Sequence, residues 1–196
     1  MTITILSLGM LQTNCYILSE KGRCLVIDPG AELERIRKAC EGRRIEAILL
    51  THGHFDHVGG VKALMEACPG LPVYVHADDT DLGDHLGKGL VWTDHYAEGD
   101  VLTMDSLTFR VMNTPGHTPG SVCIAVEDVL LTGDTLFAGS CGRTDFPKGS
   151  WSQMTASLRR LAAMDGSLQV LSGHGEPSTL ERERDHNPYM KEALEG

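Results

Sequence analysis

The 196-residue sequence predicts an α/β fold in which two β-sheets pack face to face with helices outside. Three observations lead there. Apolar runs of strand length followed by a stretch with helical spacing occur once in the first half and again after Leu107. No linker rich in Pro, Gly or Ser separates the halves, so residues 1–196 are expected to form a single domain. The densest group of ionisable residues, Thr51-His52-Gly53-His54-Phe55-Asp56-His57, falls between a strand end and a helix, where α/β proteins keep their chemistry.

In order along the chain, residues 3–8 and 14–18 read as two strands joined by a turn at Gln12-Thr13. Cys24 to Ile27 is a third strand, closed by the turn Asp28-Pro29-Gly30. Leu33, Ile36 and Cys40 share a helix face, and Gly42 ends that helix. Ile45 to Leu50 is the strand that delivers the histidine turn. A helix from about Gly59 to Cys68 follows, on the spacing of Val61, Leu64, Met65 and Cys68, and Pro69-Gly70 stops it. Pro72 to Val75 alternates as a strand. Residues 77–99 show little periodicity, and a loop of that length is uncommon unless functional or disordered. Its apolar island, Leu90-Val91-Trp92, is either a cap on a substrate cleft or a surface loop pinned by one aromatic. His85 and His95 read as surface residues, His76 and His186 as structural or supporting ones. Leu107, Phe109 and Val111 alternate, and Val122 to Val126 with Val129 to Leu131 forms a hairpin around Glu127-Asp128. Ser150-x-x-Gln153 reads as a capping box for a helix buried through Met154, Leu158 and Leu161. Leu168 to Leu171 is the last strand, and Ser178-x-x-Glu181 caps a short helix that ends before Pro188.

The formal net charge is −10, from 17 basic and 27 acidic residues, which argues against a nucleic-acid or anionic-membrane surface. No run approaches the roughly 18 apolar residues of a membrane helix. Met1 to Met10 has no early basic residue or cleavage pattern, so a cytoplasmic location is expected. None of the six cysteines forms a C-x-x-C pair, and a disulfide framework is not expected. Cys141, among glycines, is open to a nucleophilic role but has no base beside it in sequence. Ser121, Ser150 and Ser172 also lack a partner base and read as structural.

Imidazole and carboxylate suit zinc, iron and related metals. On a short turn His52 and His54 can point one way while Asp56 and His57 point another, so one segment can serve two adjacent ions. The pattern His52-x-His54-x-Asp56-His57 resembles the signature of the metallo-β-lactamase superfamily. Its later family ligands have counterparts in order: His117 in Thr114-Pro115-Gly116-His117, Asp134 in Thr132-Gly133-Asp134, and His174 in Ser172-Gly173-His174. The segment from Gly139 to Pro147 is similar to short bacterial glyoxalase II-like (hydroxyacylglutathione hydrolase-like) proteins.

The resemblance implies a four-layer αββα sandwich with the metals at one edge of the sheets. It implies His52, His54 and His117 on one divalent ion, Asp56, His57 and His174 on a second, and Asp134 bridging them. Zinc is the first expectation for both, with iron or manganese as alternatives. Two ions roughly 3.5–4 Å apart share a water and acidify it, so the implied reaction is attack of a bridging hydroxide, oriented by Asp56, on a thioester such as S-lactoylglutathione. Arg143 is the candidate for reading a substrate anion, its alternative being an internal pair with Asp145. Longer glyoxalase II members carry a tyrosine where Asp145 stands, and a C-terminal helical glutathione-binding region. The chain ends 22 residues after His174, so no such region is expected, and glutathione need not be the carrier. The rival readings are a persulfide dioxygenase with a single iron, which the segment from Gly142 to Phe146 resembles equally well, and a non-catalytic metal-binding module. A nuclease has the wrong charge, and a β-lactamase would call for a secretion signal.

Overall fold

The computed structural model describes residues 1–195, with position 84 described by its backbone alone. The first half contains β1 (Thr2–Leu8), β2 (Thr13–Glu20), β3 (Arg23–Ile27), α1 (Leu33–Ala39), β4 (Arg44–Leu49), α2 (Phe55–Val58), α3 (Val61–Ala67), β5 (Val73–His76), α4 (Gly83–Leu86) and β6 (Asp94–Tyr96). The second contains β7 (Val101–Met104), β8 (Leu107–Asn113), β9 (Val122–Val126), β10 (Val129–Gly133), β11 (Leu136–Phe137), β12 (Ser140–Cys141), α5 (Trp151–Ala162), β13 (Gln169–Ser172), β14 (Ser178–Thr179), α6 (Leu180–His186) and α7 (Pro188–Glu195). Each half builds a six-stranded sheet, ordered β1-β2-β3-β4-β5-β6 and β14-β13-β10-β9-β8-β7.

Successive strand residues face opposite sides, and that period sorts the apolar side chains into three layers. Leu25 and Ile27 of β3, Leu49 of β4, Phe109 and Val111 of β8, and Leu131 of β10 meet between the sheets. Cys24, Val26 and Ile48 turn the other way, onto Ile36, Val61 and Leu64 of the helices covering the first sheet. Cys123 and Leu130 likewise turn outward onto Met154, Leu158, Leu180 and Met190. Helix, sheet, sheet, helix is therefore the order of layers, as expected.

The differences from the sequence reading are local. The helix expected from Gly59 is two: α2 begins inside the histidine segment, and Gly59-Gly60 separates it from α3. A side chain at either glycine would run into the backbone of Pro29-Gly30, and Gly60 N–H donates to the Pro29 carbonyl at 2.7 Å. The irregular stretch 77–99 holds a 3-10 turn at Ala77–Asp79, α4 and the edge strand β6. Leu90 and Val91 pack on the outer core of the first sheet, so the island caps no cleft. The cap before α6 is Thr179, which accepts from Arg182 N–H, while Ser178 bonds the Glu183 carboxylate. Pro188 does not end the chain's helical part but opens α7, where its missing N–H costs nothing.

Phe109 is fully buried between the sheets. Phe109→Ala is expected to lower the unfolding free energy by about 3–5 kcal/mol. The denaturant midpoint should fall with little change in slope, and an unshifted midpoint would mean that this layer contributes little to stability.

Candidate metal centre

Strands β3, β4 and β5 run parallel, and so do β10 and β13, so their C-terminal ends collect at one edge of the sandwich. The ends of β4, β8, β10 and β13 deliver the His52–His57 segment, His117, Asp134 and His174 respectively. The sheets close on each other there. Val122 N–H donates to the Thr51 carbonyl (2.9 Å), Asn14 N–H to the Gly173 carbonyl (2.7 Å) and the Tyr16 hydroxyl to the Ser172 carbonyl. Gly173 has to lack a side chain, because a Cβ would overlap the Asp134 carboxylate and come within 2.7 Å of the His57 ring.

The structure brings all seven sequence-predicted metal residues together. Their donor atoms form three groups, each within 4.8 Å: His52-His54-His117, His52-His57-Asp134, and Asp56-His57-His174. Asp134 lies between the outer two. Its Oδ1 is 3.4 Å from His57 Nε2, and its Oδ2 is 3.5 Å from His117 Nε2 and 3.6 Å from His174 Nε2.

Four imidazoles are aimed by their outer nitrogens. Nδ1 of His57 meets Asp28 Oδ2 (2.9 Å) and Nδ1 of His52 meets Thr51 Oγ1 (3.1 Å). Nδ1 of His117 meets the Arg143 carbonyl (2.7 Å) and Nδ1 of His174 the Leu11 carbonyl (3.1 Å). With a proton on each Nδ1, the Nε2 lone pairs turn inward, as metal-ligating histidines are usually held. Nε2 of His52, Nε2 of His57 and Oδ1 of Asp134 are buried and find no hydrogen-bond partner among the described residues. Buried polar atoms left in that state are costly, and divalent cations among them would remove the cost. The donor set fits two such ions, with nitrogen and oxygen ligands suited to zinc or iron.

Burial, and then the neighbouring imidazoles, push His52 well below the usual histidine range and His54 down to about 4. Both therefore offer neutral nitrogens. Burial opposes charge on His57 too, but Asp134 and Asp28 outweigh it and hold that group well above the usual range. Burial would raise Asp56, yet its bond to His174, the charge of His57 and the Thr13 hydroxyl at 3.0 Å bring it far below the usual carboxylate range. Ionised Asp56 and Asp134 beside the neutral nitrogens of His52 and His54, with His57 and His174 drawn toward the charged form, make a cluster that positive charge stabilises.

Two carboxylates that sequence reasoning passed over hold the centre. Asp28, read as a turn residue, is buried in the left-handed conformation (φ 50°) and accepts from Thr51 N–H (2.8 Å), Thr51 Oγ1 (2.6 Å) and His57. Asp79, read as irregular loop, accepts from Gly53 N–H (2.8 Å) and Thr118 Oγ1 (2.8 Å) through Oδ2 and from Gly120 N–H (2.6 Å) through Oδ1. It thus clasps the loop of His52 and His54 to the loop of His117. An acidic residue directly after a strand that neighbours the histidine strand was the available signal for Asp28. For Asp79 no local signal exists.

A cleft of about 580 Å³ opens above the cluster, walled by Leu11, Phe55, Leu86, Phe137, Cys141 and Phe146. Arg143 also lines it. Its Nε and Nη2 pair with both oxygens of Asp145 at 2.7 Å, and the guanidinium lies 3.9 Å from the Phe146 ring centre. The internal pair foreseen in the sequence is present, on a side chain that still borders the cleft. Burial pushes the Cys141 thiol up to about 11, which suits a wall rather than a nucleophile. His85 and His186 are exposed, whereas His76 is buried and accepts from Asp78 N–H (3.2 Å).

The family model described as "Metallo-beta-lactamase superfamily" matches residues 8–174. Hydroxyacylglutathione hydrolase GloC of Haemophilus influenzae is 32% identical over 209 residues, covering 97% of this chain and 98% of that protein. The solved structure of the BLEG-1 B3 metallo-beta-lactamase superposes with TM-score 0.87 at 33% identity, over 96% of this chain and 99% of that one. TTHA1623, solved in a di-iron-bound form, superposes with TM-score 0.85 at 35% identity, over 95% of this chain and 99% of that one. Among the described residues, no helix is long and apolar enough to cross a membrane.

Asp79→Ala would strand two backbone N–H groups and a hydroxyl in the interior. A loss of roughly 2–4 kcal/mol is expected, with weakened metal retention in the His52-His54-His117 group. Metal per chain and thermal midpoint, read on the same sample, check this. Unchanged values for both would show that the two loops are held by other contacts.

Proposed function

Because the chain belongs to the metallo-beta-lactamase superfamily, we propose that it is a dinuclear-metal hydrolase whose substrates are thioesters, S-lactoylglutathione or a related acyl-thiol among them. The observation that carries this reading is the seven-group cluster on the floor of a cleft that has Arg143 on its wall and is otherwise mostly apolar. His52, His54 and His117 would hold one ion, Asp56, His57 and His174 the other, and Asp134 both. Zinc is the first candidate, with iron and manganese as alternatives.

Such ions supply a water acidified toward neutral pH and positive charge for a carbonyl oxygen. The chain's own groups do the rest. Asp56, ionised and tethered by Thr13, accepts a hydrogen bond from the attacking water and aims it. The apolar walls keep bulk water from the ester, which strengthens each charge interaction on the floor. The leaving group selects between substrates. A thiolate, with a free pKa of about 8.5, departs with little protonation, whereas an amine needs a proton donor. Outside the cluster, the titratable groups on the described wall are Arg143 and the Cys141 thiol, the latter pushed up to about 11, and neither is an acid matched to neutral pH. That favours thioesters over the β-lactams named for one structural neighbour.

A hydrolysis screen over thioesters and β-lactams, with metal analysis on the same sample, tests the reading. Thioester turnover with two metals per chain is expected. One iron per chain with oxygen uptake on a persulfide would make it a dioxygenase, faster β-lactam turnover a lactamase, and inert, metal-free protein a binding module.

The Arg143 side chain has a separate test, because its backbone carbonyl, which orients His117, survives substitution. Among the described residues Asp145 takes Nε and Nη2, which leaves Nη1 for a substrate carboxylate. Arg143→Ala is expected to cut kcat/KM for an anionic thioester by roughly tenfold more than for a neutral one. Lysine should recover part of the loss. Equal losses on both substrates would leave Arg143 as the loop-shaping partner of Asp145.

A further inference from the structure

The cleft above the cluster has a neighbour that shares part of its wall. Past a ridge made by Leu11 and Phe55 lies a second cavity of about 290 Å³, between the β1–β2 turn and the start of α2. Its walls are Leu8, Met10, Leu11, Ala31 and Phe55, and Leu11, Phe55 and Asp56 border both cavities. Its two polar side chains are spent on each other, since the Thr13 hydroxyl donates to Asp56 Oδ2 at 3.0 Å. The cavity therefore recognises a ligand by apolar contact. Met10 is 99% exposed, Leu11 53% and Phe55 44%, an apolar rim of the kind that marks a binding surface.

The occupant follows from size and position. A helix is about 10 Å across with its side chains, too wide for this space. An anionic lipid surface is disfavoured by the net charge of −10. A hydrocarbon chain fits, and one that enters over the Leu11–Phe55 ridge has its head at Asp56, among the groups that would attack a carbonyl. On the thioesterase reading above, we propose that this cavity receives the acyl arm of the substrate, and that the preferred acyl group is an unbranched hydrocarbon chain. The polar lactoyl group would leave the cavity largely unfilled.

The test uses acetyl, butanoyl, hexanoyl and octanoyl thioesters of one neutral thiol, N-acetylcysteamine. kcat/KM should rise with chain length by up to about fourfold per methylene until the cavity is full, the factor set by burying a methylene. Met10→Asp changes an exposed side chain and so spares the fold, and Ala31→Phe fills the space. Both should flatten the dependence on length. A flat series in the wild-type enzyme, or an undiminished slope in both variants, would overturn the proposal. Binding of the corresponding 2-oxoalkyl thioethers, which cannot be hydrolysed, is measured by calorimetry in parallel. Length-dependent binding without any thioester turnover would refute the thioesterase reading and keep the cavity. Thioester turnover with no effect of length in either measurement would refute the cavity and keep the thioesterase reading.

Discussion

A histidine ring has two nitrogens, and this centre depends on what the outward one meets. If Nδ1 of His57 had no acceptor, the proton could sit on either nitrogen and the ring could turn. Asp28 fixes both choices, and it fixes the strand end as well, because the same carboxylate takes Thr51 N–H and Thr51 Oγ1. The Thr51 hydroxyl then points an oxygen at His52 Nδ1. One buried side chain therefore fixes what the outer nitrogens of two rings meet, directly at His57 and through Thr51 at His52, and with them the loop between. The low-dielectric surroundings make each of these bonds strong, and would make each expensive if unmet.

Much of the architecture was legible because burial on both faces leaves an imprint in short apolar runs. β3, β9 and β10 are mostly apolar, β4 ends in the buried apolar run Ala47 to Leu49, and the alternation of Leu107, Phe109 and Val111 is plain. The strands that escaped notice are edges. β6 buries Tyr96 alone among its three residues, and β7 buries only Met104 well, so neither carries a periodic signal. The helix break at Gly59-Gly60 escaped for another reason. It is set by the backbone of Pro29-Gly30, some thirty residues away, and nothing in the segment itself announces that approach.

The centre divides in the same way. Residues with distinctive chemistry were visible from their order: the histidine segment, His117, Asp134 and His174 arrive at the same place because parallel strands end together. The residues that aim them were hidden. Asp79 works by accepting backbone N–H groups from two distant loops, and Leu11 works through a carbonyl that every residue type possesses. Thr13 and Asn14 are similar, in sequence an ordinary turn residue and an ordinary strand residue, yet they tie Asp56 and the β13 end into place. Ligand type can be read from side chains, whereas support is a property of the fold.

The two rim residues Leu11 and Arg143 each serve twice. Their carbonyls fix the outer nitrogens of His174 and His117, while their side chains face whatever enters the cleft. The peptide oxygen persists whatever side chain is attached to it. Mutation at either position can thus alter what the protein accepts while the histidine orientation is inherited unchanged. That separation makes the mouth of the cleft evolvable: related chains can diverge in diet while keeping the same machinery.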